Sequence, residues 1–270
     1  MFVLAFELLD NLPHDKVMFD DNGQPWEAVI VPRDTFATNT LRTSRGVMDF
    51  VLSDTLRERQ RVTSDTEREL FRPAEDPLIL KTMAMLEESE EKLIAENTSD
   101  SLMDRARSRL GFAKLRYSKT GALTPASAVR AKQAIAYIPT GQLRFLEALK
   151  RCFPRHSLIL SDFDSLPGLV MKGAGGPVVQ SVDKKNHICD RSHYLLPPDI
   201  SADIFFPTDF DSLKCLYEHI TGNSAGIQPA SEFFKPFEES VKKCRTMSGY
   251  CPLTEYYSNT SYFVGRPALK

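Results

Sequence analysis

The chain has 270 residues, and its 34 Lys and Arg residues nearly balance its 36 Asp and Glu residues, which leaves a net charge of −2. This balance gives no overall attraction to nucleic acid or to an anionic membrane surface, and no apolar run approaches the roughly 20 residues of a membrane span. The five cysteines are odd in number and widely scattered, which favours free thiols in a reducing compartment over a disulfide framework. The length allows one large domain or two small ones.

An unbroken apolar segment, Phe2–Phe6, opens the chain, and polar residues follow it at once. Its length and its lack of alternation predict a strand of a parallel sheet that is covered on both faces. Ligands of open parallel sheets bind beyond the carboxyl ends of the strands. Glu7 and Asp10 are therefore candidates for the polar wall of a ligand site, and the alternative is an acidic cluster that only caps the turn.

A β-hairpin is predicted around the turn-forming residues 20–23, between strands at 16–20 and 26–31. The following residues 33–75 are polar and irregular. Basic residues at 57–61 are interleaved with acids, a pattern typical of a solvated surface rather than of a nucleic-acid site. We therefore expect no nucleic-acid partner.

Two helices are predicted in the middle of the chain. The first spans 77–96, with Asp76 as its N-cap and Pro77 at its first position, and the second spans 101–110. We interpret residues 33–130 as a helical insertion between sheet strands. It serves either as a lid or as a partner surface, and the sequence does not distinguish the two.

Helices and strands alternate in the second half of the chain. Helices at 125–135 and 141–152 precede an apolar strand at 157–161, which runs into Asp162 and Asp164. This order, with acids at the carboxyl end of a strand, is typical of a doubly wound α/β sheet. The remaining predicted elements are a strand at 203–206, a helix at 208–219, a helix at 232–243 and a strand at 261–264.

Two tempting motifs are set aside on their local context. The glycines of residues 173–176 precede a predicted strand at 177–182, whereas a phosphate-binding loop lies between a strand and a helix. The spacing of His187, Cys189 and His193 matches no structural zinc pattern. We therefore predict no metal site and interpret both stretches as ordinary loops.

Four segments, in the same order along the chain, resemble the MidA family. The first covers residues 6–15 and matches the Glu-x-x-Asp-x-x-Pro signature of that family through Glu7, Asp10 and Pro13. The others, which resemble the fungal and protist branch of the family, are residues 158–167 with 177–180, 203–210 and 252–257. The likeness covers both ends of the chain well and residues 33–130 poorly.

The MidA family is similar to class I S-adenosylmethionine-dependent methyltransferases and includes mitochondrial protein arginine methyltransferases that assist assembly of respiratory complex I. The resemblance implies an α/β fold, the C-terminal part of a Rossmann-like sheet with strands four to seven and a helical insertion, in a single incomplete domain over residues 1–270. Phe2–Phe6 is then the fourth strand, 157–161 the fifth, and 203–206 with 261–264 the final antiparallel pair.

The resemblance also implies S-adenosylmethionine as cofactor, a protein substrate such as a complex I subunit, and a mitochondrial location. Met1 leads into the first strand without a basic or amphipathic leader, so the location rests on the resemblance alone. The glycine-rich cofactor loop of the family and its ribose-binding acid precede the fourth strand, and neither is found here. We therefore expect upstream sequence to be missing, and a non-catalytic assembly module that no longer binds cofactor is the alternative hypothesis.

Arginine stays protonated near neutral pH, so its methylation requires a site that holds and aims the guanidinium group rather than deprotonates it. Carboxylates do this through bidentate, charge-assisted hydrogen bonds. Glu7 and Asp10 are three residues apart and share a face if the chain turns helically after the strand. We predict this pair as the catalytic residues.

The other candidate residues follow the two strand ends. By the resemblance, the cofactor pocket is lined by Phe6, Asn11, Leu12 and Pro13. His14 is a candidate substrate contact and proton acceptor, with an ordinary hydrogen-bonded histidine as the alternative. Asp162 and Asp164 either bind substrate or cap the next turn, and the sequence favours neither role.

Overall fold

The computed structural model describes residues 1–20, 23–32, 41–43, 46–48, 67–97, 125 and 135–267. The predicted helix at 101–110 lies outside these residues, and the predicted insertion at 33–130 is described only in part. Within the described part, no helix has the length and apolar character needed to cross a membrane.

The described strands are, in chain order, β1 (Phe2–Phe6), β2 (Asp15–Phe19), β3 (Pro25–Pro32), β4 (Leu41–Thr43), β5 (Gly46–Met48), β6 (Glu67–Pro73), β7 (Ile135–Ile138), β8 (Ser157–Phe163), β9 (Val178–Val182), β10 (Ile188–Arg191), β11 (Ala202–Phe205), β12 (Ser224–Pro229) and β13 (Thr260–Arg266). The described α-helices are α1 (Pro77–Asn97), α2 (Thr140–Cys152), α3 (Phe210–Thr221), α4 (Ala230–Phe233) and α5 (Glu238–Lys242).

The principal sheet has the strand order β1-β8-β13-β12. Strand β1 runs parallel to β8, and β13 runs antiparallel to both β8 and β12. The prediction that residues 203–206 pair with 261–264 is wrong, because β13 pairs with β12 and β11 belongs to a separate sheet of order β10-β9-β11. Strand β12 has the sequence Ser-Ala-Gly-Ile-Gln-Pro, which has low strand propensity, and its edge position tolerates the proline.

One face of the principal sheet carries the hydrophobic core. Leu158 and Leu160 of β8 and Phe263 of β13 are fully buried there. The helices α2 and α3 cover this face with buried side chains at helical spacing, namely Leu143, Leu146 and Leu149 of α2 and Leu213, Leu216 and Tyr217 of α3. Burial of each such leucine contributes roughly 1.5–3 kcal/mol, so this layer fixes the position of β8 beneath the candidate site.

The other face of β1 is open. Phe2, Leu4 and Phe6 are 77%, 61% and 57% exposed, whereas Val3 and Ala5 pack against the core. The parallel pairing of this strand is confirmed, but the prediction that both of its faces are covered is wrong. Among the described residues β8 is its one strand neighbour, so β1 is an edge strand whose outward side chains meet solvent.

A second sheet of order β6-β3-β2-β7 confirms the predicted hairpin between β2 and β3. Strand β6 lies in the segment predicted to be irregular, and Ile135 starts β7 rather than ending a helix. Strand β6 was not predicted because its charged residues are typical of a surface loop, and the residues that pair with them lie on other strands. Arg72 pairs with Glu27 of β3 at 2.6 Å, and Glu69 pairs with Lys16 of β2 at 2.6 Å.

The helix predictions are confirmed for α1 and need correction near the C-terminus. Asp76 caps α1, because its Oδ1 accepts a hydrogen bond from Leu78 N at 2.7 Å. The predicted helix at 232–243 is divided by a 3₁₀ turn, Lys235–Phe237, into α4 and α5. Pro236 in this turn has no N–H to donate, which interrupts a regular helix.

Candidate functional site

The carboxyl ends of β1 and β8 lie side by side, as predicted. Phe6 is opposite Ser161 in the parallel register, and Glu7 N donates a hydrogen bond to Ser161 O at 3.0 Å. Asp162 follows Ser161 directly. The two acidic segments, which are far apart in sequence, therefore meet at one edge of the principal sheet.

Asp162 holds the turn that follows β1. Its Oδ2 accepts hydrogen bonds from three successive backbone N–H groups, those of Leu8 (3.1 Å), Leu9 (2.6 Å) and Asp10 (3.3 Å). Its Oδ1 accepts from Phe163 N at 2.8 Å, and the side chain is only 1% exposed. The sequence left open a substrate contact or a cap of the turn after Asp162; the structure instead shows Asp162 capping the turn after β1.

Glu7 has a strained backbone. Its φ of +49° lies in the left-handed region, which costs a residue other than glycine about 1–3 kcal/mol and persists only where its surroundings enforce it. The side chain is exposed. Such strain is concentrated at functional sites, so the carboxylate of Glu7 is the group at this edge best placed to meet a ligand.

Asp10 lies on the inner side of the same turn. The predicted helical turn exists as a 3₁₀ helix, Leu9–Asn11, but Asp10 is 2% exposed while Glu7 is exposed. The expectation that both acids share one open face is therefore wrong. Asp10 Oδ1 accepts from Asn11 Nδ2 at 2.7 Å, and Asp10 O accepts from Phe206 N at 2.8 Å.

Burial and mutual repulsion weaken the acidity of the inner carboxyls. Burial raises the pKa of Asp10 above its ordinary value, Asn11 opposes this through its hydrogen bond, and the charge of Glu7 adds to the rise. Burial and then the charge of Asp10 raise the pKa of Asp162 to about 6. Glu7 is the outermost of the three acids; its charge acts on Asp10, and the charge of Asp10 acts on Asp162.

His14 is a half-buried, hydrogen-bonded ring. It stacks on Phe206 with ring centroids 4.0 Å apart and planes 10° apart. Its Nδ1 donates to Leu12 O at 2.9 Å, and burial lowers its pKa to about 4. The ring is therefore neutral near pH 7, which matches the alternative of a hydrogen-bonded histidine; a contact with substrate stays a prediction.

The lowered pKa of His14 makes a pH dependence of stability testable. The pKa is about 6.5 in the unfolded chain and about 4 in the folded one, so the stability contribution of the neutral ring is present above pH 6.5 and is lost as pH falls towards 4. This difference corresponds to roughly 3 kcal/mol. We expect the unfolding free energy of the wild type to fall by about that much more than that of His14→Phe between pH 7 and pH 4.

Denaturant titrations at a series of pH values measure this difference. The Phe variant keeps a ring to stack on Phe206, and His193, whose pKa is also lowered to about 4 by burial, is present in both proteins and cancels. Parallel stability curves for the two proteins would contradict the assignment of a half-buried, neutral His14.

A groove of about 490 Å³ lies next to the turn. Leu12 and Pro13 line it together with Thr140, Arg144 and Phe145 from the first turns of α2. Its volume is within the usual range of ligand pockets. Phe6 and Asn11 do not line this groove: Phe6 lies on the exposed side of β1 and Asn11 ends the 3₁₀ turn after it.

Asp164 is bonded to its neighbour Ser165 and to the start of β13. Its Oδ2 accepts from Ser261 Oγ at 2.7 Å, its Oδ1 accepts from Ser165 Oγ at 3.3 Å, and its N–H donates to Asn259 O at 2.9 Å. These contacts join the end of β8 to the start of β13. A role in binding substrate stays a prediction.

Phe206 is the site residue that sequence reasoning missed. It bonds Asp10 through its backbone and stacks on His14 through its ring, although it is nearly 200 residues away from both. No local pattern marks this contact, because it depends on where the loop after β11 returns to the sheet.

The stretch from His187 to His193, interpreted as a loop, contains strand β10, which pairs with β9, and its histidines and cysteine have ordinary contacts. His187 forms an ion pair with Asp183 at 3.3 Å when it is protonated, Cys189 Sγ donates to His187 O at 3.7 Å, and His193 Nδ1 accepts from Leu195 N at 2.9 Å. In the described residues no group of three or more His, Cys, Asp or Glu side chains is arranged to bind a metal ion.

The fold and this edge define a class: a mixed α/β fold in which acids follow the carboxyl ends of two adjacent parallel strands. A family described as "Putative S-adenosyl-L-methionine-dependent methyltransferase" matches residues 1–228. The chain belongs to this family, whose cofactor is S-adenosylmethionine. No curated protein matches the chain.

Two crystal structures from Burkholderia thailandensis are similar to the chain. An uncharacterized superfamily protein has a TM-score of 0.44 at 11% identity, covering 98% of this chain and 55% of that chain. A member of the same superfamily bound to S-adenosyl-homocysteine has a TM-score of 0.43 at 8% identity, covering 98% of this chain and 53% of that chain. The chain thus spans about half the length of either structure.

Proposed function

We propose that the chain forms the acceptor side of an S-adenosylmethionine-dependent methyltransferase of the MidA type, acting on arginine side chains of proteins. The observation that carries this proposal is the exposed carboxylate of Glu7, held in a left-handed conformation at the shared end of β1 and β8. Family membership supports the reaction class, and the Glu-x-x-Asp-x-x-Pro resemblance supports the arginine substrate.

The task of Glu7 in this proposal is to hold a guanidinium group. The carboxylate accepts two N–H groups of the planar cation and leaves one nitrogen aimed at the methyl donor. Each charge-assisted hydrogen bond contributes roughly 1.5–3 kcal/mol. Asp10, which is buried and interacts electrostatically with Glu7, adds negative potential when it is ionised, which favours a cation over a neutral side chain.

The described residues fit one wall of a cofactor site. Phe6 is 57% exposed beside Glu7, and Leu12 and Pro13 offer apolar surface in the groove. When bound, S-adenosylmethionine supplies an electrophilic methyl group on a sulfonium. In the described ranges no glycine-rich loop joins a strand to a helix, so these residues supply apolar contact and a carboxylate but not the glycine-rich part of a cofactor site.

Two measurements on the 270-residue chain test the proposal. Calorimetry with S-adenosylhomocysteine measures binding, and transfer of labelled methyl groups to an arginine-containing peptide, with its lysine-containing counterpart as control, measures activity. Micromolar binding with arginine-selective transfer supports the proposal. Transfer to lysine alone contradicts the arginine assignment.

If the folded chain shows neither binding nor transfer, that result favours the second candidate, which is a non-catalytic assembly module. The open edge of β1 favours this candidate, because Phe2, Leu4 and Phe6 expose apolar surface on one strand. The two readings therefore predict opposite results in the calorimetric measurement.

We further propose that the protein acts in mitochondria on a subunit of respiratory complex I. The four segments that resemble the MidA family support this proposal. Localisation of the tagged protein, and a comparison of arginine methylation in complex I with and without it, test the location and the substrate separately.

A further inference from the structure

We propose that Asp162 is a positioning residue that holds Glu7 in its left-handed conformation and thereby aims its carboxylate. This inference rests on the proposed function of Glu7 and adds to it the group that keeps Glu7 in place. Asp162 itself touches no reacting atom in this proposal, because both of its oxygens are bonded to backbone N–H groups.

The contacts fix the chain on both sides of Glu7. On one side, Glu7 N donates to Ser161 O at 3.0 Å. On the other, the N–H groups of the next three residues converge on Asp162 Oδ2, the shortest at 2.6 Å from Leu9. A residue with φ of +49° persists only where neighbouring contacts over-determine it, and these are the contacts that do so.

The geometry explains why a carboxylate stands at position 162. Three N–H dipoles that point at one oxygen favour a strong acceptor, and the first N–H groups of the 3₁₀ turn have no acceptor earlier in that turn. The same side chain is anchored to β8 through Phe163 N. Asp162 therefore connects the packed strand β8 to the turn after β1 and fixes the position of that turn.

Asp162→Ala and Asp162→Asn separate positioning from simple loss of structure. Alanine removes both acceptor oxygens, whereas asparagine keeps one that can still accept the three N–H groups and replaces only the oxygen that accepts from Phe163 N. We expect Asp162→Ala to lower kcat about 100-fold per folded molecule with little change in KM, and Asp162→Asn to recover most of this loss. Equal losses in both variants, or a loss confined to KM, would overturn the proposal.

A double variant shows whether Asp162 acts through Glu7. In a Glu7→Gln background, Asp162→Ala is expected to lower kcat less than about threefold further, because both changes disable the same carboxylate. Fully multiplicative losses would show that Asp162 acts independently of Glu7 and would refute the proposal.

Asp209→Ala is the matched control. Asp209 also caps a backbone turn, since its carboxylate accepts from Ser212 N at 3.4 Å and from Ser212 Oγ at 2.5 Å, but it does so at the start of α3. We expect this variant to lose stability and to keep the kcat of the wild type per folded molecule. A loss of kcat equal to that of Asp162→Ala would overturn the proposal.

Amide hydrogen exchange tests the positioning contact without any transferase activity. We expect exchange of the Leu8, Leu9 and Asp10 amides to accelerate at least tenfold in Asp162→Ala and to stay near the wild-type rate in Asp162→Asn and Asp209→Ala. Unchanged protection in Asp162→Ala would refute the positioning role, whereas altered protection in a chain without methyl transfer would refute the proposed function alone.

Discussion

Replacement of Glu7 by glutamine is expected to lower methyl transfer to arginine by about two orders of magnitude. The amide keeps the shape of the side chain but loses the charge that holds a guanidinium group. A loss of roughly 3 kcal/mol, within the range for charge-assisted hydrogen bonds, corresponds to this factor in rate. Initial rates with labelled cofactor measure it, and unchanged turnover would remove Glu7 from the reaction.

Two companion variants separate the carboxylate from its strained backbone. Glycine adopts a positive φ without penalty, so Glu7→Gly is expected to lose activity as Glu7→Gln does, with no loss of unfolding free energy. Glu239→Gln on α5 removes an exposed acid that pairs with Lys242 at 2.8 Å, and it is expected to leave activity unchanged. A glycine variant much less stable than the wild type would mean that Glu7 serves the fold rather than a ligand.

Replacement of Gly141 by alanine is expected to lower the unfolding free energy by about 1–3 kcal/mol, the usual range for overpacking. A Cβ at this position would lie 2.6 Å from Pro13 O and 2.8 Å from Pro13 N. Both are backbone atoms, so either the start of α2 or the segment after Asn11 must move. The hydrogen bond from Gly141 N to Pro13 O, now 2.9 Å, would be lost with that movement.

Gly226→Ala is the control for this change. A Cβ on Gly226 meets nothing within 4 Å, so its stability is expected to stay within about 0.5 kcal/mol of the wild type, as for most surface substitutions. Thermal and denaturant unfolding of both variants measure the difference. If Gly141→Ala also weakens cofactor binding, the predicted role of Leu12 and Pro13 gains support; wild-type stability in Gly141→Ala would mean that the contact with Pro13 is loose.

The strand pairing at the site was predictable because the sequence of each strand shows the same local pattern, an apolar run followed by acids. Phe2–Phe6 is an uninterrupted apolar run that ends in acids, and residues 157–161 repeat this pattern. Since carboxyl ends of parallel strands meet at one edge, their acids are expected to meet as well. The meeting of Glu7 with the segment around Asp162 required no information beyond this.

The division of labour among the acids was not predictable. Glu7, Asp10 and Asp162 are chemically alike, and only the fold makes Glu7 exposed and the other two buried. The three N–H groups that engage Asp162 belong to residues more than 150 positions away. Local patterns therefore predicted where the site lies but not which acid holds the turn and which faces solvent.

The missed strands have a different cause. In β6 every charged residue looks like a surface residue, yet Glu69 is 7% exposed because it is neutralised by Lys16 of another strand. In β12 the small residues give no hydrophobic period, and pairing with β13 alone makes them a strand. Tertiary contacts override local propensity in both cases.

The open side of β1 is expected to make the activity of this protein depend on its concentration. An uncharged edge strand with three exposed apolar side chains attracts other extended chains, and Glu7 directly follows Phe6, the last residue of that strand. Self-association at high protein concentration would therefore shield the same carboxylate that a substrate must reach. Specific activity that rises on dilution is the behaviour expected of such a molecule, and assays on concentrated stocks would understate what the site can do.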